Sequence, residues 1–203
     1  RGHYGEDALN RAYLLRVIYQ SVRAIDLDFG RAPISNGDGY FSYGDYLAYT
    51  TPIQSADEAE AGLARLEALP ALYQQSEANA RRGIETGYTQ PRIVIDRALD
   101  TARAQVETLE NTLLTPLASM PSNIPAAQQE QYRERARAII RERILPVHRQ
   151  TVAFIETEYL PAARPGIGLR SVPGGEDLYR YPVRSYTTTE MTPDEIHALG
   201  LSE

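Results

Sequence analysis

The feature that most narrows the folds open to this chain is a spacing. Between residues 91 and 115 the apolar positions Ile95, Leu99, Ala102, Val106, Leu109 and Leu113 alternate in steps of four and three. Such steps place side chains on one face of a 3.6-residue helix, so the segment predicts a helix whose seam packs against another helix. The pattern lasts under three heptads, which favours packing inside a bundle over a coiled-coil dimer. Similar stripes recur. Leu14, Ile18, Val22, Ile25 and Phe29 predict a helix near 6–29, buried on one side and stopped by Gly30. Leu63, Leu66, Leu69, Tyr73 and Ile84 predict one near 56–87, opened by a capping box of Ser55 and Glu58. Tyr132, Ile139, Ile140, Ile144, Val147, Phe154 and Ile155 predict a long run over 125–159. Pro91 suits a first helical turn, Pro116, Pro121 and Pro125 bracket a connection, and Pro70 and Pro146 each remove a backbone donor and bend their helices. The expected fold is all-α, an antiparallel array of long helices.

Punctuation divides the remainder. Pro33, Asn36, Gly37, Asp38, Gly39 and Gly44 mark residues 30–54 as a loop. Within it Tyr40, Tyr43, Tyr46 and Tyr49 fall every third residue, so a short helical turn presents all four on one side, either packed onto the helices or facing a ligand. After Pro161 the character changes: Pro165, Gly166, Gly168, Pro173, Gly174, Gly175 and Pro182 argue against regular helix, and Leu178 to Thr189, rich in Tyr, Val and Thr, reads as extended. Thr192-Pro193-Asp194-Glu195 then opens a further helix with a cap, a proline at its first position and a glutamate at its third. That helix stops about two turns in, which predicts that the parent polypeptide continues. The division expected is a helical domain over 1–160, followed by 161–203 as an extended segment and the start of a helix leading into a catalytic part.

Composition limits the function classes. With 42% hydrophobic and 24% charged residues the chain folds as a globular unit. Its net charge of −6 leaves no basic footprint for a nucleic-acid backbone or an anionic membrane surface. No stretch approaches the roughly 20 apolar residues that span a bilayer. The absence of cysteine excludes disulfides and thiolate ligands and fits a reducing or an oxidising compartment, so localisation stays open.

Catalytic motifs are sparse. Of His3, His148 and His197, none has a second histidine at helical spacing, so the His-Glu-x-x-His arrangement is missing and no metal ligand is assigned. His148 reads as a packed or half-exposed residue, and His197 as structural or as a site residue of the intact protein. Gly174-Gly175 is followed by Glu176-Asp177, which repel phosphate, and no Gly-x-Ser-x-Gly elbow occurs. No catalytic residue is assigned to this chain.

A specific string remains. Glu158-Tyr159-Leu160-Pro161, Ala163-Arg164, Gly166-Ile167-Gly168-Leu169, Pro173-Gly174-Gly175, Tyr186-Thr187-Thr188-Thr189, Thr192 to His197 and Leu199-Gly200-Leu201 together resemble the bacterial family of domain of unknown function 885. Arg82-Gly83-Ile84, Gly87 and Pro91-Arg92 extend that resemblance upstream. Members of the family look like zinc metallopeptidases of the gluzincin type, whose His-Glu-x-x-His helix and later glutamate ligand lie downstream of Glu203. The resemblance therefore implies zinc and peptide-bond hydrolysis in the parent, with this chain supplying helical walls of a peptide cleft and pairing with the remainder of the polypeptide. The alternative is a free-standing helical binding or scaffold module. Candidates to border the cleft are Arg184, Tyr186, Thr187, Thr188, Thr189 and His197. Arg184 offers a cation to a substrate carboxylate and Tyr186 a hydroxyl; alternatively, the charges on this segment pair with surface acids such as Glu176 or Glu190.

Overall fold

A computed structural model describes residues 5–203, so His3 lies outside the described residues. The architecture is all-α. Helix α1 spans Glu6–Asp26; a two-stranded antiparallel ribbon, β1 Ile34–Ser35 and β2 Asp38–Gly39, precedes α2, Tyr43–Thr50. The long helices follow: α3 Ala56–Glu85, α4 Arg92–Ala118, and a continuous run of α5 Ala126–Ile139, α6 Leu145–Phe154 and α7 Leu160–Ala162. Then come α8 Gly175–Thr187 and α9 Pro193–Ser202. The chain forms two compact units, residues 31–166 and a second composed of 1–30 with 167–203.

The 31–166 unit is a three-helix bundle running up, down and up. Glu60 pairs with Arg135, the Glu67 carbonyl accepts from Arg143, Thr151 donates to Glu77, and Arg81 pairs with Glu158, so α3 and the α5–α7 run advance in the same direction. The Leu117 carbonyl accepts from Arg133, Glu110 pairs with Arg141, and Ala102 meets His148, so α4 runs against them. The seam expected on α4 is the core: Ile95, Leu99, Ala102, Leu109 and Leu113 are buried, against Leu63, Leu66, Leu69 and Tyr73 of α3 and Ile140, Ile144 and Ile155 of the last run. Each such Leu or Ile contributes roughly 1.5–3 kcal/mol by burial.

Proline acts differently at different depths. Pro70 and Pro116 sit inside α3 and α4, and α4 passes Pro116 to end at Ala118 instead of near 115. In the last run the helix widens into π turns at Ile140–Ile144 and Ile155–Tyr159, two residues before Pro146 and Pro161. A π turn shifts the hydrogen-bond register where the proline has no donor and its ring crowds the preceding turn.

Residues 30–54 contain more structure than a loop. Tyr40 and Phe41, in a 3-10 turn, are buried, and α2 packs on α4. Gly44 permits the approach, since a Cβ there would stand 3.0 Å from a Leu113 methyl. Gln105 of α4 reaches the same element, donating to Asp45 at 2.7 Å and to Ser42 at 3.2 Å. The four tyrosines do not share one environment: Tyr40 is 5% exposed, whereas Tyr43, Tyr46 and Tyr49 are 52%, 63% and 77% exposed.

Two expectations are corrected in the other unit. The stripe on α1 exists as a pattern but is not buried: Leu14, Ile18, Val22 and Ile25 are 58%, 47%, 49% and 76% exposed, and no residue of α1 is buried. Helix α8 meets α1 through the side bearing Arg16 and Gln20, and at 100° per residue the stripe lies well round the helix from that side. The helix also ends earlier than Gly30, with Asp28 taking the left-handed conformation at φ 52°. Second, Leu178 to Thr189 is not extended, since residues 175–187 form α8. Leu178, Tyr181 and Ser185 recur at helical steps, Glu176 and Asp177 sit in the first turn and Arg184 in the last, as the helix dipole favours. Richness in Tyr, Val and Thr did not outweigh that order.

Candidate functional site

The residues expected to border a cleft lie on α8, on the turn after it and on α9. Thr187 donates to the Val183 carbonyl at 2.8 Å, its hydroxyl lies 3.0 Å from that of Thr189, and Thr189 in turn accepts from the Met191 amide at 3.4 Å. Thr188 closes the helix in the left-handed region, at φ 63°, an uncommon place for a β-branched residue. Thr192 accepts from the Glu195 amide, and Glu195 accepts from the Thr192 amide, completing the capping box. The Thr192 amide and hydroxyl, both donating to Glu195, hold its carboxyl below the usual carboxylate range. The threonine hydroxyls at 187, 189 and 192 thus wire the turn. Tyr186 is 88% exposed, and His197 is exposed on α9.

Arg184 pairs with Glu190 at 2.7 Å, the surface arrangement weighed against a cleft role, and Arg180 pairs with Glu176 at 3.2 Å. The side of α8 that faces α1 holds residues that sequence reasoning passed over. Arg16 reaches the carbonyls of Arg184 and Ser185 at 3.5 and 3.4 Å, the Tyr181 hydroxyl donates to the Gln20 carbonyl at 3.2 Å, and the Phe29 and Tyr181 rings stand 5.4 Å apart. Arg16, Tyr19, Gln20 and Arg23 line this groove together with Tyr181, Arg184 and Glu190. The available signal was polar: Arg16, Gln20 and Arg23 fall at i, i+4 and i+7, on a face hidden by attention to the apolar stripe.

The strings upstream have a structural role. Pro91-Arg92 and Ala163-Arg164 meet: the Arg92 amide donates to the Arg164 carbonyl at 2.8 Å and the Arg164 amide to Gln90 at 3.2 Å. The Arg164 guanidinium donates to Thr89 at 2.8 Å, and the buried Tyr159 hydroxyl accepts from the Gln90 amide at 3.2 Å. Glu158 takes two bonds of 2.9 Å from Arg81, which hold its carboxyl below the usual range. Gly83 faces backbone: a Cβ there would collide with the Arg31 carbonyl oxygen and stand 2.9 Å from that of Tyr88. Gly87 ends α3 at φ 70°. In the other unit, Gly174 takes φ 68°, and a Cβ on Gly175 would collide with the Leu169 carbonyl oxygen. These residues clamp chain crossings.

His148 is fully buried. Its Nε2–H donates to the Ala102 carbonyl at 2.8 Å, and Nδ1 lies 3.4 Å from the Tyr73 hydroxyl, which donates to the Phe41 carbonyl at 2.7 Å. Burial pushes the imidazole below its ordinary value and the Tyr73 phenol well above its own. Among the described residues no three of His, Cys, Asp and Glu come together to hold a metal. His148 is sealed inside the bundle, with Nε2 bonded to Ala102 and Nδ1 against the Tyr73 hydroxyl, and Glu195 is committed to its cap, so the described residues do not fit a zinc site. No described helix is long and apolar enough to cross a membrane.

No curated protein matches the chain. Among solved structures, the crystal structure of a candidate lipoprotein from Colwellia psychrerythraea superposes with a TM-score of 0.73 at 16% identity, over 83% of this chain and 30% of that one. The likeness is one of fold, and the chain spans under a third of that protein's length. The model of a family described as bacterial protein of unknown function (DUF885) matches residues 3–203, and the chain belongs to that family.

Proposed function

We propose that this chain is the non-catalytic helical portion of a zinc metallopeptidase, with zinc, its ligands and the general base carried by the remainder of the parent polypeptide. The observation that carries the first half of this reading is the open stripe of α1. Four aliphatic residues at helical spacing stand between 47% and 76% exposed, a continuous apolar face of the kind that another surface covers. That the similar fold occupies 30% of a longer chain supports the same view. The peptidase half rests on the resemblance of the string from Glu158 to Leu201. A free-standing binding or scaffold module is the second reading, favoured by the closed core of the 31–166 unit.

The test is an assay of two purified proteins, the product of the whole reading frame and residues 1–203 alone, against a library of fluorogenic peptides. The expected result is hydrolysis by the whole product only, abolished by a chelator and restored by zinc. A whole product that holds no zinc and cleaves no peptide would overturn the reading. Hydrolysis by residues 1–203 that survives removal of contaminating proteases would overturn it equally.

A further inference from the structure

The groove between α1 and α8 is unlike the rest of this acidic chain. It is a half-open groove of about 640 Å³, lined by three arginines, Arg16, Arg23 and Arg184, against a single carboxylate, Glu190. Little of that positive charge is neutralised. Glu190 is engaged by Arg184, with both side chains about two-thirds or more exposed, so the pair is weak and open to exchange. Among the described residues Arg16 is met only by neutral oxygens, the Gln20 side-chain amide at 3.2 Å and the carbonyls of Arg184 and Ser185 at 3.5 and 3.4 Å, and Arg23 makes no ion pair. Leu15, Tyr19 and Tyr181 line the same groove, apolar surface that a phosphate backbone does not need.

The geometry points to this groove as a binding site for an acidic peptide segment, held by carboxylates on Arg16 and Arg23. The two arginines are seven residues apart on one face of α1, about 10.5 Å along the axis at 1.5 Å per residue. In a polyproline II peptide, at about 3.1 Å per residue and three residues per turn, carboxylates three positions apart lie on one side, about 9 Å from each other. Acid-x-x-acid with apolar residues between therefore matches both the charges and the apolar lining. Arg184 across the groove accepts a third carboxylate once Glu190 releases it. The site does not depend on the parent being a peptidase.

Fluorescence anisotropy on the whole 203-residue chain tests it, with a fluorescein-labelled peptide Ala-Glu-Leu-Pro-Glu-Leu-Ala, its Gln-for-Glu counterpart and a labelled ten-nucleotide oligo-dT as probes. The expected result is binding of the Glu peptide about tenfold or more tighter than the Gln peptide, weakened by added salt. Arg23→Gln, which removes no described side-chain contact, lowers affinity about tenfold, whereas Glu190→Gln raises it by removing the one carboxylate that lines the groove. Equal binding of the two peptides, absence of binding, or a loss of affinity on Glu190→Gln overturns the proposal. Oligo-dT bound as tightly as the Glu peptide and lost with Arg23→Gln overturns it in favour of a nucleic-acid site.

Discussion

His148 shows what a single residue contributes to this fold. It sits in the bundle core, bridging the α4 backbone and Tyr73, with the Asp45 carboxylate and the Arg149 guanidinium as the charges that act on it. Desolvation makes the folded state refuse a proton that the unfolded chain accepts near pH 6.5. Because the folded value lies below the unfolded one, stability is constant above about pH 6.5 and falls as pH drops through it, by at most about 1.4 kcal/mol per pH unit. The carboxylates of Glu110 and Glu158, held low by their arginines, act in the same direction but only below about pH 4.5, so the interval from pH 6.5 to 5 reports the imidazole. Urea unfolding at half-unit steps should show that slope, and His148→Gln, which keeps a donor toward Ala102, should flatten it. A slope that persists in the variant would assign it elsewhere. The sequence placed His148 on a helix as a packed or half-exposed residue; it could not give full burial, because that depends on Tyr73, Phe41 and Ala102 converging from distant parts of the chain.

At the scale of elements, legibility followed the length of the pattern. The stripes on α3, α4 and the last run each span several turns, and their boundaries fell within a few residues of the observed ends. The segment at 175–187 was misread because it is short and its Tyr, Val and Thr content favours strands, while its helical signals, Leu178, Tyr181 and Ser185 on one side and charges matched to the dipole, are equally local. Glycine offers a sharper test of how elements meet. Within α3, Gly62 has only an Ile53 methyl at 4.0 Å from where a Cβ would stand, whereas Gly83 faces the carbonyls of Arg31 and Tyr88. Gly62→Ala should stabilise the chain by about 0.5–1 kcal/mol through helix propensity. Gly83→Ala should cost about 1–3 kcal/mol, because backbone cannot rotate out of the way as a side chain can. Chemical denaturation midpoints for the two variants are expected to move in opposite directions; a shift to higher stability in both would mean that the approach at Gly83 is not tight. The string around Gly83 was visible in the sequence as a resemblance, but its meaning, a backbone crossing, required the structure.

For the whole molecule, the candidate site was legible only in part. Arg184 and the threonines were singled out, and the structure places them on α8 and the turn that follows, yet Arg16 and Arg23, which line the same groove, come from the opposite end of the sequence. No local pattern announces a pairing across some 160 residues. If, as proposed, the chain is a portion of a larger protein whose remainder covers α1, hydrogen–deuterium exchange on α1 measures that cover directly. In the isolated chain the amides around Leu14, Ile18 and Val22 should show only the modest protection of a helix held on one side, since no residue of that helix is buried. In the product of the whole reading frame the same amides should be protected by about a hundredfold or more, equivalent to roughly 2.7 kcal/mol of added local stability. Equal exchange of α1 in the two proteins would contradict the account.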